Sequence, residues 1–445
     1  MKKALAPVSR FLQNHHQRLS SSHQGNFTPL MQACYSTSTI TRDQEKKSEM
    51  KKVTLLPGDG IGVEICSCVC ELFHYAGIPI QWDTHLVTGS FFGVGSDTNL
   101  NPTRTIVPED KRRREIENPT GGTAYSYLRK EKWSQVDPEV HYPDVHQSII
   151  TNKVVLKGPF MTRDVSKSID RMLALKYGLY AHVVPIKIPQ NLPDSVFTPF
   201  RGVDLVVVRE NTEGEYSGLE HQVQPGVVES LKIITREASL KIAKWAFEYA
   251  RLSRRNKVIA IHKANIMKKS DGLFIECCKE VSKSYPDIEY GELIIDNAAM
   301  QMVKHPNSFT NSVVVTPNLY GSIISNTASA LVGGPGCIAG FNAADIDDMN
   351  SVRVFEQGNR HVAMDISGRL IANPIGLILS SVQMLEYMGM KNHALRIKYA
   401  LNETLKNAST KILTPDLGGS GSSVTFIEAM MKNILREGDP RIHDM

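Results

Sequence analysis

The sequence predicts an α/β protein, and three observations carry that expectation. Short runs rich in Val, Ile and Leu recur at residues 53–57, 154–156, 203–208, 258–261, 293–295 and 313–315. Stretches with helical spacing separate several of them, the alternation expected when helices cover a sheet. The hydrophobic share of 41% and the charged share of 22% are ordinary for a soluble globular chain.

Taken in order, residues 53–57 read as a strand that enters Gly58-Asp59-Gly60-Ile61-Gly62. A helix is expected over 63–76. The best-defined helix covers 237–253: Thr235 is placed to cap it, and Arg251, Arg254 and Arg255 complement the dipole at its far end. The C-terminal third reads as helices at 375–387, 393–405 and 424–435. Residues 96–148 break the pattern, with Pro102, Pro108, Pro119, Pro138 and Pro143 and the basic run Lys111-Arg112-Arg113-Arg114. So long a stretch without elements reads as a surface insertion. A solvated charge run is the ordinary meaning of its basic cluster, and contact with an acidic partner or RNA the alternative.

Charge is unevenly placed. The 445 residues hold 51 Lys+Arg against 46 Asp+Glu, a net +5. Residues 1–42 contain Lys2, Lys3, Arg10, Arg18 and Arg42 and no acid, so the surplus belongs to them and the rest is neutral. The same segment is rich in Ser and Thr. Basic, hydroxyl-rich and acid-free is the composition of a mitochondrial or plastid transit peptide, with a plain tail as the alternative. The neutral remainder is no nucleic-acid binder by composition. No apolar run reaches 18 residues, so no membrane span is expected. The seven cysteines are odd in number and clustered at 66, 68, 70 and at 277, 278, which suggests no disulfide framework. Cys66, Cys68 and Cys70 lack metal-site spacing and read as packing residues of a helix.

Three segments at strand ends carry candidate chemistry. Arg209-Glu210-Asn211-Thr212-Glu213-Gly214-Glu215-Tyr216 offers a guanidinium fork for a carboxylate and a phenol for proton transfer. His262-Lys263-Ala264-Asn265 brings a Lys whose pKa neighbours can tune for base work. Asp296 offers oxygen to a hard cation. A salt bridge, a surface lysine and a helix cap are the ordinary alternatives. The Gly58–Gly62 loop has G-x-G-x-G spacing rather than the dinucleotide fingerprint and is a weak signal.

Together these segments resemble one family. Leu55-Leu-Pro-Gly-Asp-Gly-Ile-Gly62, the Arg209 to Tyr216 run, His262-Lys-Ala-Asn-Ile-Met267, Pro317-Asn-Leu-Tyr-Gly321, Ala372-Asn-Pro374 and Asp416-Leu-Gly-Gly419 stand in the order found in isocitrate and isopropylmalate dehydrogenases. The resemblance covers residues 51–95 and 150–437. Within the family the chain looks most like mitochondrial NAD-dependent isocitrate dehydrogenases. Runs 226–235, 271–281 and 331–336 resemble their regulatory, gamma-type subunits. The resemblance implies a large α/β domain, residues 51–187 and 321–445, that includes the 96–148 insertion. It also implies a smaller central α/β domain, residues 188–320, carrying an intersubunit clasp. Residues 1–42 would then be the transit peptide of a mitochondrial matrix protein.

The family converts a 2-hydroxy acid to a 2-oxo acid and CO2, with NAD(P) accepting hydride and Mg2+ or Mn2+ polarising the C2 oxygen. For isocitrate the product is 2-oxoglutarate. Mapped onto this chain, Arg209 and Tyr216 stand at family positions, with Ser168 and Asn265 as further substrate- or effector-binding residues. The family's two other arginines fall on Ala174 and Val184, and its Asn on Asp170. Two of its three metal carboxylates fall on Ser322 and Asn326. Lys263 and Asp296, which the family supplies to a neighbouring subunit's active site, are kept. Arg360, Asp365, Ile366 and Asn373 stand in the nucleotide region. Asp365 suits a ribose 2′-hydroxyl and opposes a 2′-phosphate. The resemblance therefore implies a regulatory subunit of a hetero-oligomer. Such a subunit completes a catalytic partner's site and binds an adenine nucleotide such as ADP, with citrate or isocitrate in the substrate-like pocket. Two alternatives stay open: an active decarboxylating dehydrogenase of the same family, and an interaction protein derived from the fold.

Overall fold

The computed structural model describes residues 50–89, 142–162, 168–189, 200, 202–346, 348, 350–436, 439 and 441. The transit-peptide segment lies outside them, as does the insertion up to residue 141. In chain order the elements are β1 (Lys51–Leu56), α1 (Gly62–Tyr75), β2 (Ile80–Thr84), α2 (Pro143–Asn152), β3 (Val154–Lys157), α3 (Ile169–Lys176), β4 (Ala181–Lys187) and β5 (Asp204–Glu210). A single turn at Glu215–Ser217 precedes the hairpin β6 (Glu220–Gln224) and β7 (Val227–Ser230). Then come α4 (Arg236–Leu252), β8 (Lys257–His262), α5 (Ser270–Ser282), β9 (Glu289–Ile294), α6 (Ile295–Lys304), β10 (Ser312–Thr316) and α7 (Asn318–Ser329). The chain closes with β11 (Ala339–Ala343), β12 (Arg353–Gln357), α8 (Ile375–Tyr387), α9 (Lys391–Lys406) and α10 (Ser423–Asn433).

Among the described residues, ten strands form one sheet in the order β2-β1-β3-β12-β11-β4-β5-β10-β8-β9. Both flanks are parallel, and the centre is antiparallel: β11 pairs antiparallel with β12 and β4, and β4 with β5. Strands β1, β2, β3 and β12 come from outside residues 188–320, whereas β5, β8, β9 and β10 come from within. Helices cover both faces. One apolar cluster joins α1, α8, α9 and α10 to the β1 flank; two others pack α4 with α5, and α6 with α7, against the β5–β10–β8 flank. Such burial on both faces is why these strands read as continuous apolar runs.

Local signals hold where a side chain enforces them. Thr235 Oγ1 accepts from the Ala238 amide at 3.2 Å and caps α4. At the other end Arg255 is drawn away to Asp204 of β5. Cys66 and Cys70 are buried in the α1 core, and Cys68 packs against it. The 96–148 insertion needs correction at its end: residues 143–148 belong to α2, which starts on Pro143 and buries Val145 and Ile149. Proline at the first helical position favours a helix start, so Pro143 opened an element rather than breaking one.

Candidate active site

One polar residue from each of five neighbouring strands forms a row across the middle of the sheet. Lys157 ends β3, Glu356 lies on β12, Asn342 on β11, His182 on β4 and Arg209 on β5. Register places His182 opposite both Asn342 and Arg209. All five are at least nine-tenths buried, so their polar groups must satisfy one another. Lys157 Nζ lies 2.8 Å from Asp170 Oδ1 and also pairs with Glu356. Arg360 reaches back from the next loop, 2.9 Å from Glu356 Oε1 and 2.9 Å from Asn342 Oδ1. Burial opposes ionisation of Glu356, but Arg360 and Lys157 outweigh it and hold the carboxyl well below its usual range. Burial, helped by Arg360, pushes His182 down to about 3, so the imidazole is neutral at physiological pH.

Above this row lies a cavity of about 360 Å³. Arg209 enters it from the end of β5, lowered to about 10 by burial and by Arg360 yet still a cation near neutrality. Its Nε and Nη2 donate to Asn318 Oδ1 at 2.9 and 2.7 Å, and its guanidinium sits 4.9 Å from the Tyr216 ring centroid. Among the described residues Arg209 has no carboxylate partner. Ser168 and Asp170 line the cavity as well. Ser168 caps α3, accepting from the Arg171 amide at 3.4 Å. Ala174 and Val184 are buried in apolar packing. The Arg360 guanidinium enters the cavity wall from a different segment.

Arg360, expected in the nucleotide region, turns inward to the cavity wall and pairs with Glu356, four residues earlier. Asp170 at the cavity is paired with Lys157.

Among the described residues, the donors at the family's metal positions in this cavity do not fit a metal ion. Asn326 Nδ2 donates to the Ser322 carbonyl at 2.8 Å, and Asn326 Oδ1 lies 2.8 Å from His361 Nε2. Neutral oxygens already engaged in this way are poor ligands for Mg2+. No group of three or more His, Cys, Asp or Glu able to hold a metal occurs among the described residues.

The remaining candidates lie elsewhere. Lys263 follows β8 and forms an ion pair with Asp296 in the first turn of α6. β8 and β9, which lead into Lys263 and Asp296, are the last two strands of the sheet; neither residue lines the cavity, and Asn265 is exposed on the adjoining turn. On the β1 flank, Asp365 is exposed and Ile366 half-buried. Asn373 donates to Asp416 at 2.8 Å and accepts from the Ile375 amide at 3.0 Å. The 358–364 loop docks on the glycine loop through an Ile61 N–H···O=C Val362 bond of 3.0 Å. A Cβ on Gly60 would meet the Val362 carbonyl at 2.0 Å, so this glycine is required for close packing.

Sequence reasoning passed over Lys157, His182, Asn342 and Glu356. For Lys157 and His182 a signal was present, since a charged or polar side chain in a short strand of otherwise apolar pattern marks a buried polar contact, whereas Asn342 and Glu356 lie in strands with little apolar pattern.

The isocitrate/isopropylmalate dehydrogenase family model matches residues 140–434. A regulatory subunit of the mitochondrial NAD isocitrate dehydrogenase from Dictyostelium discoideum is 42% identical over 391 residues, covering 87% of this chain and 91% of that protein. A catalytic subunit of the mitochondrial NAD isocitrate dehydrogenase from Arabidopsis thaliana is 41% identical, covering 90% of each. The crystal structure of isocitrate dehydrogenase from Methylococcus capsulatus superimposes with a TM-score of 0.67 at 33% identity, covering 86% of this chain and 99% of that one. Matched by the family model over most of its length and by relatives at 41–42% identity, this chain belongs to the isocitrate/isopropylmalate dehydrogenase family.

Proposed function

We propose that this chain is a non-catalytic, regulatory subunit of a mitochondrial NAD-dependent isocitrate dehydrogenase. The observation that carries the reading is a separation: Lys263 and Asp296 stand together at the end of the sheet, while the one carboxylate lining the chain's own cavity among the described residues, Asp170, is taken up by Lys157. A catalytic partner uses that pair to complete its active site, where isocitrate becomes 2-oxoglutarate and CO2 with NAD and Mg2+ or Mn2+. Exposed apolar side chains ride on the same elements, with Ile266 on the turn after Lys263 and Met300 and Val303 on α6, and Val228 is exposed on β7. On this reading β6 and β7 are the clasp and residues 188–320 the smaller domain. No helix among the described residues is long and apolar enough to cross a membrane.

The chain's cavity takes an anion such as citrate or isocitrate on Arg209 and Arg360 without a metal. An adenine nucleotide such as ADP binds at Asp365, Ile366 and Asn373 and acts as effector. The relatives at 41–42% identity carry both regulatory and catalytic names, so an active dehydrogenase is the second reading. One assay separates them. The purified chain is expected to be inactive alone and to raise or tune the activity of a catalytic isocitrate dehydrogenase subunit, with ADP lowering the KM of the mixture. Turnover by the chain alone sinks the regulatory reading, and failure to assemble with any catalytic subunit favours an interaction protein that has left the complex.

A further inference from the structure

Lys232 follows β7, where the hairpin rejoins the body, and its side chain is only 11% exposed. Its ammonium lies 2.8 Å from Asp271 Oδ1 and 3.2 Å from Glu215 Oε1, and it donates to the Tyr320 hydroxyl at 3.2 Å. It also sits 4.4 Å from the centroid of the Tyr320 ring. Each of these contacts belongs to a different functional segment. Glu215 opens the turn that carries Tyr216. Tyr320 stands two residues before Ser322 on α7. Asp271, fully buried at the start of α5, gives its other oxygen to the Lys263 amide at 2.7 Å. The turn after Lys263 is closed by amides of Ile266 and Met267 on the Lys263 carbonyl, and by the Asp271 amide on the Met267 carbonyl. One cation therefore spans the cavity side and the Lys263 side of the molecule. Its loss leaves the buried Asp271 charge unpaired, and the turn it anchors must shift or admit water.

We propose that Lys232 is a positioning residue that holds the Lys263 amine and the Tyr216 ring in one frame. It thereby links the chain's own cavity to the face it offers a partner. Its consequence for catalysis rests on the reading that Lys263 serves a partner's active site; its hold on Lys263 does not.

The test is competitive amine labelling of the purified full-length chain, with Lys263 read by mass spectrometry against Lys279 as the internal reference. In K232M the relative labelling of Lys263 is expected to rise about threefold or more, since a loosened turn frees the amine from Asp296. K232R, which keeps the charge, stays within about twofold of the unaltered chain. Unchanged labelling in K232M overturns the proposal. If K232M does not fold, D271N, which removes the anchor's charge and keeps its shape, gives the same measurement with the same two outcomes. In the complex with a catalytic isocitrate dehydrogenase subunit, K232M should lower kcat on the order of tenfold with little change in isocitrate KM, the mark of misplacement rather than lost binding. If labelling shifts but K263M leaves the activity of the complex intact, the partner-site reading fails while the placement of Lys263 by Lys232 stands.

Discussion

At the middle of the sheet, Lys157, Asp170, Glu356 and Arg360 bury two cations and two anions against one another. At its end, Lys263 and Asp296 form a single pair with side chains 25% and 68% exposed. The difference concerns what each charge is for. Lys157 and Glu356 at the heart of the group need their partners, because an unpaired ion there has no water to turn to. The outer pair has no such necessity, since solvent would satisfy either side chain alone. Charges the fold does not need are the ones to assign to function. By the same logic Arg209, buried without a carboxylate partner among the described residues, is the member of the central row left to meet a ligand.

The largest effect should come from breaking the central group. E356Q leaves Lys157 and Arg360 sharing only Asp170, and it should destabilise the chain by about 3–5 kcal/mol. Chemical denaturation of the purified protein measures it. A loss below about 1 kcal/mol would mean that the row is open to water, and the contrast with the outer pair would collapse.

The motif between the two regions responds to pH. Glu213 accepts from the Thr235 amide at 2.9 Å and from its hydroxyl at 2.8 Å, yet burial prevails and raises its carboxyl to about 7. A folded-state value above the unfolded one favours the neutral acid. Its contribution is therefore full below about pH 4.5 and is lost as pH rises through about 7. Relative to E213Q, the unaltered chain should lose about 2–3 kcal/mol across that window. Parallel denaturation curves from pH 4.5 to 7.5 check it. Equal slopes in the two proteins would show that Glu213 ionises freely and that this motif belongs with the solvent-exposed end.

These contrasts also explain what the sequence could disclose. Strands β1, β3, β5, β8 and β10 were legible because burial makes them largely apolar, whereas β2 and β12, with Gln81, Asp83, Arg353 and Glu356 among their residues, were not; α4 was legible because Thr235 caps an amphipathic run. β6 and β7 were illegible as strands, since every residue in them is exposed and no alternation marks a buried face. β11, with its Gly and Asn, hid for a different reason: Gly340 packs against Gly358, and Asn342 serves the polar row. At the site, Arg209, Tyr216, Lys263 and Asp296 were readable from strand ends and family motifs. The inward turn of Arg360 was not, because it depends on Glu356, Asn342 and His182 arriving from three strands at once.

The smallest effect on stability belongs to the outer pair, and there the comparison is most exposed to failure. D296N keeps the shape of the side chain and removes the partner of Lys263. With Asp296 two-thirds exposed, solvent replaces the lost interaction, and the chain should be destabilised by no more than about 1 kcal/mol. If the pair serves only this chain, nothing else changes. If it completes a partner's site, D296N should assemble normally with a catalytic subunit yet reduce the activity of the complex on the order of tenfold or more, because the lost carboxylate would hold charge in the transition state rather than in the fold. A stable, assembled and fully active D296N complex would leave Asp296 as an ordinary surface residue, and the retention of Lys263 beside it would no longer point outward.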